Sequence, residues 1–455
     1  MTPPPYTIER CLRQRPFAYA TVYEHPPLPY PAYDVDGFIK KEIPPEIATL
    51  CKSESNSTVF LKDGTWFTTW SMGSYEHAPD ERVVASISRD MGKTWSEPRA
   101  IIGSSKTERI SYGTPFVVPA TGRIYLIFFL GARNELAGAD AAYDCGNLGF
   151  VYSDDNGQSW SQRQMIELPD RDMNMFPGRF HGWLNQPPQI MPTGEVLLSI
   201  AVFSRNGHYR RGWMMHPSEV GVVRLNNILT ERDPKKLTFT LLPEGPRGIR
   251  VDGLKHLDNP AVLRLTSAFK GRPEDVAFGF EEMTVVALQD GRWFGVGRNF
   301  LGSPAYTVSK DRGKTWSAAE PLRYGPEGDL IKHPMTMCPI AQTSDGRIVL
   351  CFTNNDGTER GARHVWDGNG RTRNPQWFAV AKQIPGEERN GGLLFGEPRI
   401  LVEVDDSGEA NLKTGISMPQ FFEREGRYFV VYNINKEHLL LDEVPAKVLQ
   451  EMTPR

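Results

Sequence analysis

Six times along this chain an apolar, β-prone run leads into a tight turn centred on glycine, and a second β-prone run leaves it. The turns are Lys62-Asp63-Gly64, Ala120-Thr121-Gly122, Pro192-Thr193-Gly194, Gln289-Asp290-Gly291, Ser344-Asp345-Gly346 and Arg424-Glu425-Gly426. Runs such as Thr65-Trp66-Phe67-Thr68-Thr69-Trp70 and Arg347-Ile348-Val349-Leu350-Cys351-Phe352 follow them. Asp-Gly between such runs signals a hairpin, because Asp bonds its own backbone and Gly takes positive φ without steric penalty. The turn glycines recur about every 72 residues, a period too long for helical or leucine-rich repeats.

A second motif marks another hairpin in the same units. Ser-x-Asp-x-Gly-x-Thr-Trp occurs at 88–95 and 309–316, and again at 153–160 with Ser159 in place of Thr. It follows the glycine turn by a few dozen residues or fewer, so each unit reads as four strands with two hairpins. Six such units predict an all-β fold, a six-bladed β-propeller of four-stranded antiparallel blades. The motif's Asp residues are read as turn-formers, not as catalysts. Helical periodicity is weak, with short helices expected at 45–51 and 445–452.

One closed ring would use nearly all 455 residues as a single domain, 1–455. The lead-in 1–45, Pro-rich from 15 to 35, is expected to close the ring by pairing partly with the last blade, since an open ring leaves strand edges exposed. The stretch 225–280 exceeds what a blade connection needs. It reads as an insertion, with strands near 236–242 and 261–265.

Charge and composition exclude several classes. A net charge of −3, well mixed along the chain, argues against nucleic-acid or polybasic membrane partners, which need a basic excess. No apolar run approaches the roughly 20 residues of a transmembrane helix. The first residues carry no apolar signal core, which points to a cytoplasmic protein, or a secreted or periplasmic one whose signal peptide was removed. The 5 cysteines are scattered, without Cys-x-x-Cys, and read as free thiols in a reducing compartment. No local metal-ligand spacing or phosphate loop occurs, so no metal and no cofactor is expected. Blade surfaces and contact surfaces look alike in sequence, so no oligomeric state is assigned.

In a propeller, the loops leading into the inner strands and those joining strands two and three share one end of the ring. They gather polar residues around the axis. The first loop type supplies Tyr112, His181, Trp183, Gln186, Glu281, Glu282 and His333. The second supplies Glu76, Asp80, Arg82, Arg133, Arg298, Arg363 and Arg373. Arginine forks suit carboxylates, Trp and Tyr suit sugar faces, and paired carboxylates suit acid–base glycoside chemistry. A carbohydrate is the expected partner.

The Asp motif resembles the Asp-box, or bacterial neuraminidase repeat, of the sialidase superfamily of six-bladed propellers, across roughly residues 50–435. The stretch from Glu282 to Asn299 also resembles that family's blade four, where a Glu opens the inner strand and an Arg–Asn pair closes the second. The resemblance implies that Glu282 stands where a carboxylate activates the nucleophile. It implies that Arg298 is one of three arginines clamping the substrate carboxylate, and that Arg373 is a second. Asp80 falls where the family keeps its acid/base Asp, with Glu76 and Glu81 as competitors.

Two positions depart from the family. Ser53-Glu54-Ser55-Asn56 stands where Arg-Ile-Pro usually opens blade one, and Gly415-Ile416-Ser417-Met418 stands where the nucleophilic Tyr belongs. The expectation is therefore an exo-acting glycoside hydrolase that removes a terminal acidic sugar, sialic-acid-like or uronic, by a route other than a retaining Tyr nucleophile. Glu282 or Glu281 would activate water, and Asp80 or Glu76 would protonate the leaving oxygen. The alternatives are a lyase on a uronic-acid glycan, with Tyr112 or His181 as base and acid, or a non-catalytic binding propeller.

Overall fold

The six glycine turns are the hairpins that the pattern predicts. The computed structural model describes residues 12–24, 52–74, 78, 80–105, 107–132, 145–173, 179–180, 182–184, 186–203, 217–366, 372–405 and 415–455. All six turn glycines take positive φ, from 71 to 93°. The strands that enter these turns are Lys52–Phe60, Glu108–Val117, Gln189–Ile190, Phe280–Ala287, Ile340–Gln342 and Ile416–Arg424. Each lies at the inner edge of one of six antiparallel sheets, in blade three together with the short strand Gly182–Trp183, and the sheets are the blades of a propeller. Side-chain bonds stitch neighbouring inner strands: Gln420 Oε1 accepts from Thr58 N at 2.7 Å, and Thr284 Oγ1 accepts from Ile340 N at 2.8 Å.

The Asp motif folds the turn between the third and fourth strands. Blade one shows why the sequence demands these residue types. Asp90 accepts from Thr94 N at 2.9 Å and from Thr94 Oγ1 at 2.6 Å, while Ser88 Oγ accepts from Gly92 N at 2.8 Å. Trp95 donates its indole N–H to Gly92 O at 2.9 Å. The copy at 309–316 repeats these bonds. The Asp is spent on its own turn, as the sequence reading held.

Ring closure uses the start of the chain. Ala18–Tyr23 is the outermost strand of blade six, pairing with His438–Val444. Upstream, Leu12–Gln14 adds to the edge of blade five beside Arg399–Val404. Arg15 locks the junction, donating to Asp442 Oδ1 at 2.6 Å, and Tyr432 OH donates to Asp442 Oδ2 at 3.0 Å. Between blades the seams are aromatic; Trp66 of blade one meets Phe429 of blade six edge-on, with ring centroids 4.9 Å apart.

The segment expected as an insertion is divided. Phe239–Leu242 is a strand, and it serves as the outer strand of blade three. Residues 261–265, read as a strand, lie instead in the helix Pro260–Phe269. Local chemistry selects the helix: Asn259 caps it by accepting from Ala261 N at 2.8 Å, Pro260 opens the first turn, and Lys270 ends it in the left-handed region. Pro at the first helical position and a side-chain cap are both start signals. A second short helix, Ala446–Met452, falls where one was expected. The other expected helix, at 45–51, lies outside the described residues. No described helix is long and apolar enough to cross a membrane.

Candidate functional site

Four inner strands carry a bulge at the same place. Register against the second strand slips between Glu54 and Ser57, Ser111 and Thr114, Glu281 and Thr284, and Ser417 and Gln420. Within these slips Ser55, Tyr112, Glu282 and Met418 hold φ between 51 and 57°. Positive φ in such residues costs on the order of 1–3 kcal/mol, so its recurrence at equivalent positions of four blades marks a built feature. Tyr112, Glu282 and Met418 each keep 7% exposure, whereas Ser111, Glu281 and Ser417 before them keep 0–2%. In blades two, four and six the bulge residue is thus slightly more exposed than the one before it, while Ser55 of blade one is as buried as Glu54, both at 2%.

On blade four the bulge brings two carboxylates together. Successive strand residues normally point to opposite faces, and a bulge breaks that alternation. Arg298, on the paired strand Trp293–Asn299, reaches Glu281 Oε2 through Nε at 2.7 Å and Nη2 at 2.6 Å. The same Nε stands 3.1 Å from Glu282 Oε2. From blade three, Trp183 donates its indole N–H to Glu282 Oε1 at 3.0 Å, and Arg298 lies over the Trp183 ring at 5.7 Å. Burial pushes the Glu281 carboxyl above its usual range; Arg298 opposes this and Glu282 reinforces it.

Other expected site residues take distinct places. His333 is 1% exposed, accepts from Thr353 N through Nδ1 at 3.2 Å, and sets Nε2 3.0 Å from Thr336 O. Burial lowers its pKa to about 3, and the positive charges of Arg373 and Arg298 disfavour protonation further. It is a neutral bracing ring. Arg373 donates to Met335 O at 3.2 Å and lies over Trp366 at 4.9 Å. Gln186 reaches from blade three to Pro419 O of blade six at 3.4 Å.

Asp80 is fully buried, and both of its oxygens are taken by Ser74, by N at 2.9 Å and by Oγ at 2.7 Å. Arg82 donates to Asp80 O at 3.4 Å. Glu81, next in sequence, pairs with Arg109 of blade two at 3.4 Å, and Arg109 lies 5.9 Å from the Tyr112 ring centroid. Arg363 lies exposed on the loop after blade five's second strand. Glu76, His181 and Arg133 lie outside the described residues. The structure therefore joins Glu281, Glu282, Arg298 and Trp183 in one cluster, sets His333 within electrostatic reach of both Arg298 and Arg373, and commits Asp80 to a loop brace.

One functional-end residue had no place in the sequence reading. Lys436, 6% exposed, pairs through Nζ with Glu54 Oε2 at 2.8 Å. It sits with Asn435 in a turn where both residues hold positive φ, 56 and 59°. The available signal was Asn-Lys between two apolar runs, a hairpin cue without glycine. Among the described residues no group of three or more His, Cys, Asp or Glu could hold a metal ion.

Comparisons with known proteins agree with this architecture. The family described as BNR repeat-like domain matches residues 64–218. No curated protein matches the sequence. Among solved structures, the Hadza microbial sialidase Hz136 is similar at a TM-score of 0.56 and 14% identity, over 87% of this chain and 66% of that one. A Dyadobacter fermentans DSM 18053 protein of unknown function is similar at 0.56 and 16%, over 87% and 95%. The Ruminococcus gnavus intramolecular trans-sialidase, in complex with oseltamivir carboxylate, is similar at 0.55 and 12%, over 87% and 95%. This chain thus spans just under two thirds of the Hadza sialidase chain. At such identities the likeness is one of fold, and the fold is that of a sialidase-like BNR propeller.

Proposed function

We propose that this chain is a glycoside hydrolase that removes a terminal sugar from a glycan without a Tyr nucleophile on blade six. The observation that carries the reading is the pair Glu281–Glu282 on Arg298 at the funnel, with Trp183 orienting Glu282. The bulge position of blade six, where the resemblance calls for Tyr, holds Met418.

Two oxygens, one from each Glu, stand 2.7 and 3.1 Å from the same Arg298 nitrogen. That is too close for the two to serve as an inverting acid/base pair, which keeps roughly 6.5–9.5 Å between carboxyls for a water. Glu282, the more exposed of the two, is therefore the base that activates water, and Glu281 with Arg298 fixes its place. Protonation of the leaving oxygen then falls to a group outside this pair. The test is hydrolysis of a panel of aryl glycosides by the wild-type chain and by Glu282→Gln. Activity unaltered by the substitution would remove the assignment. A second reading rests on Tyr112, at the bulge of blade two with Arg109 5.9 Å from its ring centroid; as a lyase base it would yield an unsaturated product, visible by ultraviolet absorbance on uronate polymers.

A further inference from the structure

We propose that a cleft between the outer edges of blades three and four binds sugar units of a glycan chain, apart from the cluster at Arg298. It gives the glycan of the proposed reaction a second point of attachment, and it rests on that reading only for where the glycan comes from.

The outer strand of blade three ends at Leu242, and residues 243–252 then run beside blade four. Two backbone bonds tie this segment to the Asp motif and the residues after it. Glu244 N donates to Lys314 O at 2.7 Å, and Ala319 N donates to Arg250 O at 2.9 Å. The stretches between the two ties border a cavity of about 430 Å³, whose lining shares no residue with the cluster at Arg298. The segment is fastened on its other side as well. Ile249 exchanges both backbone bonds with Val220 of blade three, at 2.8 and 2.9 Å. Buried Glu219 accepts from Arg247 Nη1 and from Gly248 N, each at 2.7 Å. A pocket of this size with fixed walls binds without the cost of ordering them.

The lining selects the ligand. Trp316 and Phe278 supply aromatic surface, and Leu254 adds an apolar side chain that is 71% exposed. Trp316 is held in place: its indole N–H donates to Gly313 O at 3.1 Å, and its ring packs 6.4 Å from that of Trp293. The hydroxyls of Thr315 and Ser317 are engaged in the turn, Thr315 donating to Asp311 at 2.6 Å and Ser317 accepting from Val308 N at 3.0 Å. Polar recognition therefore falls to Arg250, Asp252 and Glu244, which also line the cavity. Arg250 lies over the Phe278 ring at 5.6 Å and 4.0 Å from Glu219, with its side chain still 42% exposed. An anion would meet Glu244 and Asp252, and a cation would meet Arg250. A purely apolar molecule would strip water from all three and return nothing. A pyranose ring meets each demand: one face is apolar and suits Trp316, and its hydroxyls donate to Asp252 and accept from Arg250.

The test follows hydrogen exchange of the full chain carrying Glu282→Gln, so that turnover does not intervene. The probes are cellobiose, maltose, xylobiose, lactose and chitobiose. At least one is expected to slow exchange in both 244–252 and 315–318. Arg250→Ala should raise the Kd of that saccharide at least about tenfold. Should Arg250→Ala loosen the segment, Leu254→Asp, at an exposed side chain, is expected to weaken binding without touching the ties. Protection confined to 281–298, protection by none of the saccharides, or a Kd moved by neither variant overturns the inference. So does tighter binding of indole at 244–252 than of any saccharide. Saccharide protection at 244–252 without cleavage of any glycoside by the wild type supports the cleft and sinks the hydrolase reading alone. Cleavage without that protection does the reverse.

Discussion

Glu281 and Glu282 are consecutive residues of one strand, yet both carboxylates meet the guanidinium of Arg298. The positive φ of Glu282, 51°, is what turns the second side chain to the same side as the first. The site is thus an outcome of backbone geometry as much as of residue choice.

Removing the charge of Glu282 is expected to leave the fold intact and the chemistry impaired. Glu282→Gln keeps the acceptor for the Trp183 indole and should lower kcat by at least about 100-fold on any glycoside the wild type cleaves. Arg298→Met should act differently. It strands two buried carboxylates and should cost about 3–5 kcal/mol of stability, measured by urea unfolding, so its effect on rate has to be read at a temperature where it stays folded.

Ring closure makes its own prediction. Asp442 is fully buried, and burial raises its carboxyl while Arg15 opposes the rise. Arg15→Met should destabilise by about 3–5 kcal/mol, because it leaves that charge without its partner. Adding Asp442→Asn on the same background should recover part of the loss. Equal stability of the single and double variants in urea would show that the pair does not fasten the junction.

The two kinds of turn glycine should respond unequally to Ala. A Cβ at Gly64, φ 86°, meets nothing within 4 Å, whereas one at Gly92, φ 83°, would stand 2.7 Å from a Leu441 methyl and 2.9 Å from the Trp66 ring. Gly64→Ala should cost only the left-handed backbone term, about 1–2 kcal/mol. Gly92→Ala adds an overpacking term of about 1–3 kcal/mol. Midpoints of chemical unfolding for the two variants check the difference.

His333 should make the protein acid-sensitive. Its folded pKa is lowered from 6.5 to about 3, so its contribution is fully present above 6.5 and is lost as pH falls through that value toward about 3. Glu281 and Asp442, both raised by burial, act in the opposite sense; their share declines as pH rises above the usual carboxylate range. The difference between wild type and His333→Gln isolates the histidine. Stability of the wild type relative to the variant should drop by a few kcal/mol between pH 7 and pH 4. A constant difference across that range would show that His333 is not held neutral.

The turns were legible because their chemistry is local. Asp90 and Gly92 bond within a few residues of themselves, so eight letters suffice to specify the structure. The strand expected at 261–265 failed because its apolar residues suit either element, and the deciding signal was Asn259-Pro260 just before it. The site was legible only in part. Glu282 and Arg298 stood out by resemblance, and they do meet. The bulges were invisible, since Tyr112 and Met418 give no sign in sequence of a left-handed backbone. Lys436 and Glu54 lie 382 positions apart, and no local pattern links them.

The strand at 18–23 leaves the ribosome roughly 400 residues before its partner at 438–444. During synthesis this segment therefore waits with its backbone bonds unmade. The final blade can form only after residues 438–444 have been made, and a nascent chain halted before residue 438 would carry an open ring and a strand free to pair with a neighbour.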